Sequence, residues 1–317
     1  MSETVRIVID RIERKALKFC FSYGFCLQDL RLSIRNVGMI SPPVLKKSGC
    51  KYDIVCGYKR IEAALAEGYS EADCIVLPDE TSEQDCMKIA LNDNLSFREL
   101  NIIEKMNIVK ALRLYRFPSE TIEGFENEFG LRRFSAGLME NILFSGDEFK
   151  SAAAAGLMPP ESIIIAARFK VEERELLASL FRKLTPGKNK QIAILENLSD
   201  ISARDETSMK DILESAAIKN LIENEQLNPP QKLAKILSYL EALRNPEISE
   251  FFNKYKAKKK TVSVPSGIEF SASDILEERR HRIAFSFCSS SEAMDKASQL
   301  RDFLNSQSTR ELIDLEP

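Results

Sequence analysis

The chain has 317 residues, 44% of them hydrophobic and 29% charged, enough for two or three domains with packed cores. A formal net charge of −3 excludes a global attraction to nucleic acid, so any such contact needs a local patch. No N-terminal apolar segment and no bilayer-length apolar stretch is present, which predicts a cytoplasmic protein.

Seven cysteines, at 20, 26, 50, 56, 74, 86 and 288, form no CxxC pair, and His281 is the single histidine. Reduced, packing cysteines are therefore expected rather than a structural zinc site or His-based nucleophilic chemistry.

In chain order, residues 5–9 alternate as a short strand, and Leu27, Leu30, Ile34 and Val37 mark an amphipathic helix stopped by Gly38. Residues 39–45 read as a turn into a strand, and Ser48-Gly49 as a hairpin turn into a central strand. The organising stretch is residues 52–68, YDIVCGYKRIEAALAEG, where period-2 alternation gives way at Gly57 to helical spacing at Ile61, Ala64 and Leu65. Glycine allows a sharp turn and close backbone approach, while Lys59 and Arg60 enter a helix N-terminus whose free amides already favour an anion. That combination suggests a phosphate site; a strand-to-helix turn with two solvated cations is the alternative. A strand at 74–77 and a helix at 83–91 follow. Asp93 and Asn94 then place two oxygen donors side by side, suited either to a cation such as Mg²⁺ or to backbone groups at a helix end.

Three segments, SIRNVGMISPPVLKK (33–47), IVCGYKRIEAALAEG (54–68) and DNLSFRELNIIEK (93–105), stand in the order and spacing of the three blocks of the ParB N-terminal domain. The chain thus resembles the ParB/sulfiredoxin superfamily, as a ParB-like protein. The resemblance implies that Gly38 and Ser33 lie near phosphate, that Gly57, Lys59 and Arg60 hold a CTP triphosphate, that Asn94 binds Mg²⁺, and that Asp93 shares the metal and replaces the family's hydrolytic glutamate. Departures are Ser41 for glutamine, Tyr58 for glutamate, Lys59 for arginine and Phe97 for arginine. Lysine keeps the charge without the fork, and Asp93 is one methylene shorter, so binding is expected over hydrolysis, with at most a weak CTPase. Sulfiredoxin chemistry needs a cysteine after the glycine, where Tyr58 stands.

Residues 104–198 read as helical and resemble the ParB region carrying a helix-turn-helix, with a helix from Pro118-Ser119, a turn at Gly130 and a recognition helix at 135–143. Residues 119–149 carry seven acids against two bases, a local −5 that opposes a duplex, so Arg132 and Arg133 read as a solvated turn, with contact to a DNA backbone as the alternative. An apolar helix is expected from 163 until the break at 186–189, a polar boundary at 199–207, and a helix over 233–243. The lysines at 254, 256, 258, 259 and 260 read as a solvated linker or a polyanion contact. Strands at 261–264 and 282–287, with helices at 291–304 and 309–315, make a terminal α+β module.

The expected architecture is α+β: a ParB-like nucleotide-binding domain at 1–100, a helical domain with a degenerate helix-turn-helix at 101–200, a helical linker at 201–260 and a small α+β domain at 261–317. The resemblance suggests that this last part dimerises the chain, that CTP and Mg²⁺ act as a switch in DNA partition or regulation, and that a ParA-type ATPase is a partner. The alternatives are a nucleotide-independent adaptor on the same fold, or a metal-dependent nuclease or phosphoryl transferase using the same pocket.

Overall fold

The computed structural model describes residues 4–15, 17–95, 98–272 and 281–315. The chain divides into two compact units, Met1–Glu196 with Ser208–Leu233, and Asn197–Thr207 with Ala234–Pro317.

The first unit begins with β1 (Thr4–Val8), a single 3-10 turn, β2 (Ile12–Glu13), α1 (Gln28–Val37), β3 (Val44–Ser48), β4 (Lys51–Cys56), α2 (Tyr58–Ala66), β5 (Glu71–Leu77) and α3 (Glu83–Leu95). Five strands form one mixed sheet in the order β1-β5-β3-β4-β2. β1 and β5 are antiparallel, as are β3 and β4, whereas β3–β5 and β2–β4 are parallel. Ile54 of β4 joins Ile34, Leu45, Ile61, Ala64 and Cys74 in the core beneath α1 and α2, and α3 packs on the same strand. Asp53 to Cys56 are consequently all buried, an unbroken run where alternation was expected, because a strand covered on both faces has no solvent side.

Helices follow: α4 (Ile102–Leu114), α5 (Ser119–Glu128), α6 (Ala136–Leu143), α7 (Asp147–Ala154), α8 (Pro160–Ala166), α9 (Val171–Leu184), α10 (Lys188–Asp205), α11 (Met209–Leu213), α12 (Ala216–Glu223) and α13 (Pro229–Arg244). α4 is fixed by a capping box between Asn101 and Glu104 and packs on α5, α6 and α7. The apolar run from 163 is two helices rather than one, since Lys170 is extended and its N–H donates to Glu173 at 2.9 Å, starting α9 afresh. The polar stretch 199–207 continues α10 as far as Asp205; its charged residues lie on the helix surface instead of breaking it.

The second unit continues with α14 (Pro246–Thr261), the antiparallel pair β6 (Ile268–Ala272) and β7 (His281–Phe285), α15 (Ser290–Asn305) and α16 (Gln307–Ile313). The lysine run is helical, and the segment packs instead of being fully solvated: Tyr255 and Val262, seven residues apart, turn inward onto Phe270, Phe303 and Leu312. The strand expected at 261–264 forms instead at 268–272, beyond Pro265 and the positive-φ Gly267. No helix of the described residues is long and apolar enough to cross a membrane.

Candidate functional site

Gly57 is the hinge on which the site is built. It caps α2 at φ 90° and ψ 20°, and a Cβ added there would meet Pro43 Cβ at 2.9 Å and Pro43 Cα at 3.0 Å. Only glycine satisfies both conditions. No side chain caps this end of α2, so its first amides point out of the helix.

Lys59 and Arg60, on the first turn of α2, line one hollow of about 210 Å³ together with Gly57, Asp93 and Asn94. One wall is the segment Phe19, Cys20, Phe21 and Ser22, which carries no periodic pattern. Arg60 Nη1 donates to the Pro42 carbonyl at 3.5 Å, and Nη2 stands 3.6 Å from Asp93 Oδ2. Lys59 Nζ lies 4.6 Å from the centre of the Phe25 ring, which meets Tyr58 edge-on. Burial, and then the nearby charge of Arg98, hold the Lys59 ammonium below its ordinary pKa, with Glu104 partly offsetting them. An anion in the hollow would relieve that cost.

Asp93 and Asn94 occupy the last turn of α3. Asn94 Nδ2 donates to the Ala90 carbonyl at 2.9 Å, while its Oδ1 accepts from Arg98 Nε at 3.2 Å and Nη2 at 3.1 Å. Among the described residues no three His, Cys, Asp or Glu side chains cluster as a metal site. The residues therefore suit a polyphosphate directly, and a divalent cation only as its companion, because Asn94 offers its oxygen to a guanidinium and, among the described residues, Asp93 is the one carboxylate lining the hollow. At the floor, burial and the neighbouring Asp93 push the Cys56 thiol up to about 12, which keeps it protonated.

The structure brings Gly57, Lys59, Arg60, Asp93 and Asn94 together, but not Ser33 or Gly38. Ser33 is exposed on α1, and Gly38, at φ 75°, lines a different hollow beside Glu67 and Gly68. The first block reaches the site through Pro42 and Pro43 instead. Phe97 lies outside the described residues. Sequence reasoning missed Arg98, Ser22, Phe25 and Glu104; for Arg98 and Glu104 the available signal was their position inside the third block.

In the helical part, Ser135 caps α6, and Gly130, at φ 69°, sits in the turn after α5. Arg132 and Arg133 are both exposed there, and Arg133 pairs with Glu161 at 3.1 Å, a carboxylate shared with Lys188.

Residues 5–95 match the family model of the ParB N-terminal domain. This part of the chain is a ParB N-terminal domain. Curated relatives include the chromosome-partitioning protein Spo0J of Thermus thermophilus, 26% identical over 125 residues, covering 32% of this chain and 46% of the relative. The nucleoid occlusion protein of Bacillus mycoides is 24% identical over 195 residues, covering 61% of this chain and 66% of the relative. A probable plasmid-partitioning ParB of Thermus thermophilus is 35% identical over 86 residues, covering 27% of this chain and 28% of the relative. The chain thus spans less than two thirds of each of these relatives. Among solved structures, the C-terminally truncated Caulobacter crescentus ParB with CTP-γ-S is 22% identical, covering 56% of this chain and 98% of that one, with a TM-score of 0.27. The same protein bound to the centromeric parS site is 20% identical, covering 55% and 98%, with a TM-score of 0.31.

Proposed function

We propose that the ParB N-terminal domain binds a nucleoside triphosphate, CTP by its family likeness, and that occupancy acts as a conformational switch in DNA partition or DNA-associated regulation. The observation that carries this reading is the meeting of Gly57, Lys59 and Arg60 with Asp93 and Asn94 in one hollow. The free amides of α2 and the two cations grip phosphate oxygens, and Arg60 exchanges Asp93 for the ligand. A bound Mg²⁺ supplies charge neutralisation of the phosphates, with Asp93 and Asn94 as the protein donors. Asp93 is one methylene shorter than the family's glutamate and has less reach toward an attacking water, which favours binding over hydrolysis.

DNA association follows the relatives named for partition and nucleoid occlusion. Exposed Arg132 and Arg133 are the proposed backbone contacts, with the local excess of acid limiting their affinity. Homodimerisation through the C-terminal module and a ParA-type ATPase partner belong to the same proposal. A second reading, a ParB-fold adaptor without nucleotide, is favoured by one observation: Arg60 already has an acidic neighbour in Asp93.

Calorimetric titration with the four ribonucleoside triphosphates and Mg²⁺ separates the two. The proposal expects heat with CTP and a loss of about tenfold or more in Arg60→Ala, the scale of one charge-assisted hydrogen bond. Equal, negligible heats for all four leave the adaptor.

A further inference from the structure

A guanidinium presents five N–H groups in a rigid fork, and Arg98 divides its own unequally. Nη1 donates to both oxygens of Glu104, at 2.8 and 2.7 Å, and that carboxylate is 1% exposed. Glu104 is itself immobilised, accepting the N–H of Tyr23 at 3.0 Å and of Asn101 at 3.1 Å. The other edge of Arg98 faces the hollow. There, among the described residues, Nε and Nη2 meet neutral acceptors at longer range, Asn94 Oδ1 at 3.2 and 3.1 Å and Ser22 Oγ at 3.2 Å.

The geometry points to Arg98 as a further phosphate-binding residue of this hollow, anchored through Nη1 by Glu104 and offering its Nε–Nη2 edge to the ligand. This rests on the nucleotide reading above and adds to it a third cation and a positioning residue, Glu104. A phosphate oxygen carries negative charge, so it forms with the guanidinium an ion-paired contact that the neutral Asn94 and Ser22 oxygens do not offer, and it displaces them without disturbing the anchor. Arg98 and Lys59 also disfavour each other across the same space, a repulsion that an anion between them converts into attraction. Displacement returns the Asn94 oxygen to the hollow, where it becomes available to a cation accompanying the phosphate.

The test titrates the full chain, with Mg²⁺ present, against CTP and separately against inorganic tripolyphosphate. It compares the parent with Arg98→Lys, Arg98→Met and the double variant Arg98→Met/Glu104→Gln, which removes both charges so that no buried carboxylate is left alone. Hydrogen exchange over residues 18–25 reports whether the wall held by Glu104 stays in place. Expected is a loss of about tenfold or more for both ligands in Arg98→Met and in the double variant, and a several-fold loss in Arg98→Lys, which keeps the charge but not the fork. Exchange over 18–25 stays parent-like in Arg98→Lys. Parent-like affinity in the double variant overturns the role of Arg98 while leaving the nucleotide reading intact, and affinity lost only in step with faster exchange assigns Arg98 to structure alone. If the parent binds tripolyphosphate but not CTP, the nucleotide reading falls and Arg98 is judged on tripolyphosphate. Binding of neither ligand removes both.

Discussion

Gly57 shows how one residue can be required twice, once for its backbone angle and once for the space it leaves. A left-handed φ costs a non-glycine residue about 1–2 kcal/mol, and here a Cβ would also press on Pro43. Gly57→Ala should therefore destabilise the domain by about 2 kcal/mol or more and abolish ligand heat. Gly68, at φ 86° with nothing within 4 Å of an added Cβ, is the control, and Gly68→Ala should show the angular cost alone. Urea unfolding of the two variants makes the comparison; equal midpoints would mean that Pro43 moves freely. The dual demand on Gly57 was only half legible in the sequence. The switch from period 2 to helical spacing announced the turn, but nothing local announced that Pro43, brought over by β3–β4 pairing, lies against it.

At the scale of elements, Arg174 of α9 is 3% exposed and has no carboxylate partner among the described residues. Its fork donates to the Asn141 carbonyl at 3.0 Å, Asn141 Oδ1 at 2.9 Å, Ser145 Oγ at 2.8 Å, and the carbonyls of Ala167 and Phe169 at 2.6 and 2.8 Å. These acceptors lie at the C-terminal ends of α6 and α8, where carbonyls lack helical partners and the dipole is negative. Burial lowers the guanidinium pKa, yet the carbonyl cage keeps it satisfied. Arg174→Met should cost about 3 kcal/mol, because several buried acceptors lose their donor together, and should loosen α6 from the α8–α9 corner. Thermal or urea unfolding gives the first quantity and hydrogen exchange across 138–145 the second; a cost below about 1 kcal/mol would show that water replaces the guanidinium. An apolar pattern read as one continuous helix concealed this corner, since periodicity alone does not report a break whose two sides both bury apolar residues.

For the molecule as a whole, the thiols set an alkaline limit. Cys56 is pushed up to about 12 and Cys74 to about 11, both chiefly by burial, from an ordinary value of 9.0. The native state thus holds these protons after the unfolded chain releases them, so their contribution is complete below about pH 9 and is lost as pH rises toward the folded values. Each thiol removes up to about 1.4 kcal/mol of stability per pH unit across that window. Urea midpoints at pH 8, 9 and 10 should fall progressively, and Cys56→Ala/Cys74→Ala should flatten the decline; an unchanged slope in that variant would assign it to other groups.

Resemblance of the three blocks joined the five residues that the hollow unites, while the sequence by itself determined the local grammar: where α1 starts and Gly38 stops it, the β4–Gly57–α2 turn and the terminal β-and-helix module. These are properties of neighbouring residues, carried by spacing, glycine and capping chemistry. Only the tertiary structure decided that Ser33 and Gly38 stand apart from that hollow, that Tyr255 and Val262 of the lysine-rich segment turn onto the terminal module, and that Arg98, Glu104 and the patternless wall at 19–22 complete the site. Sheet pairing and the packing of α3 and α4 bring these segments together from widely separated positions, and no local signal encodes a meeting of that kind.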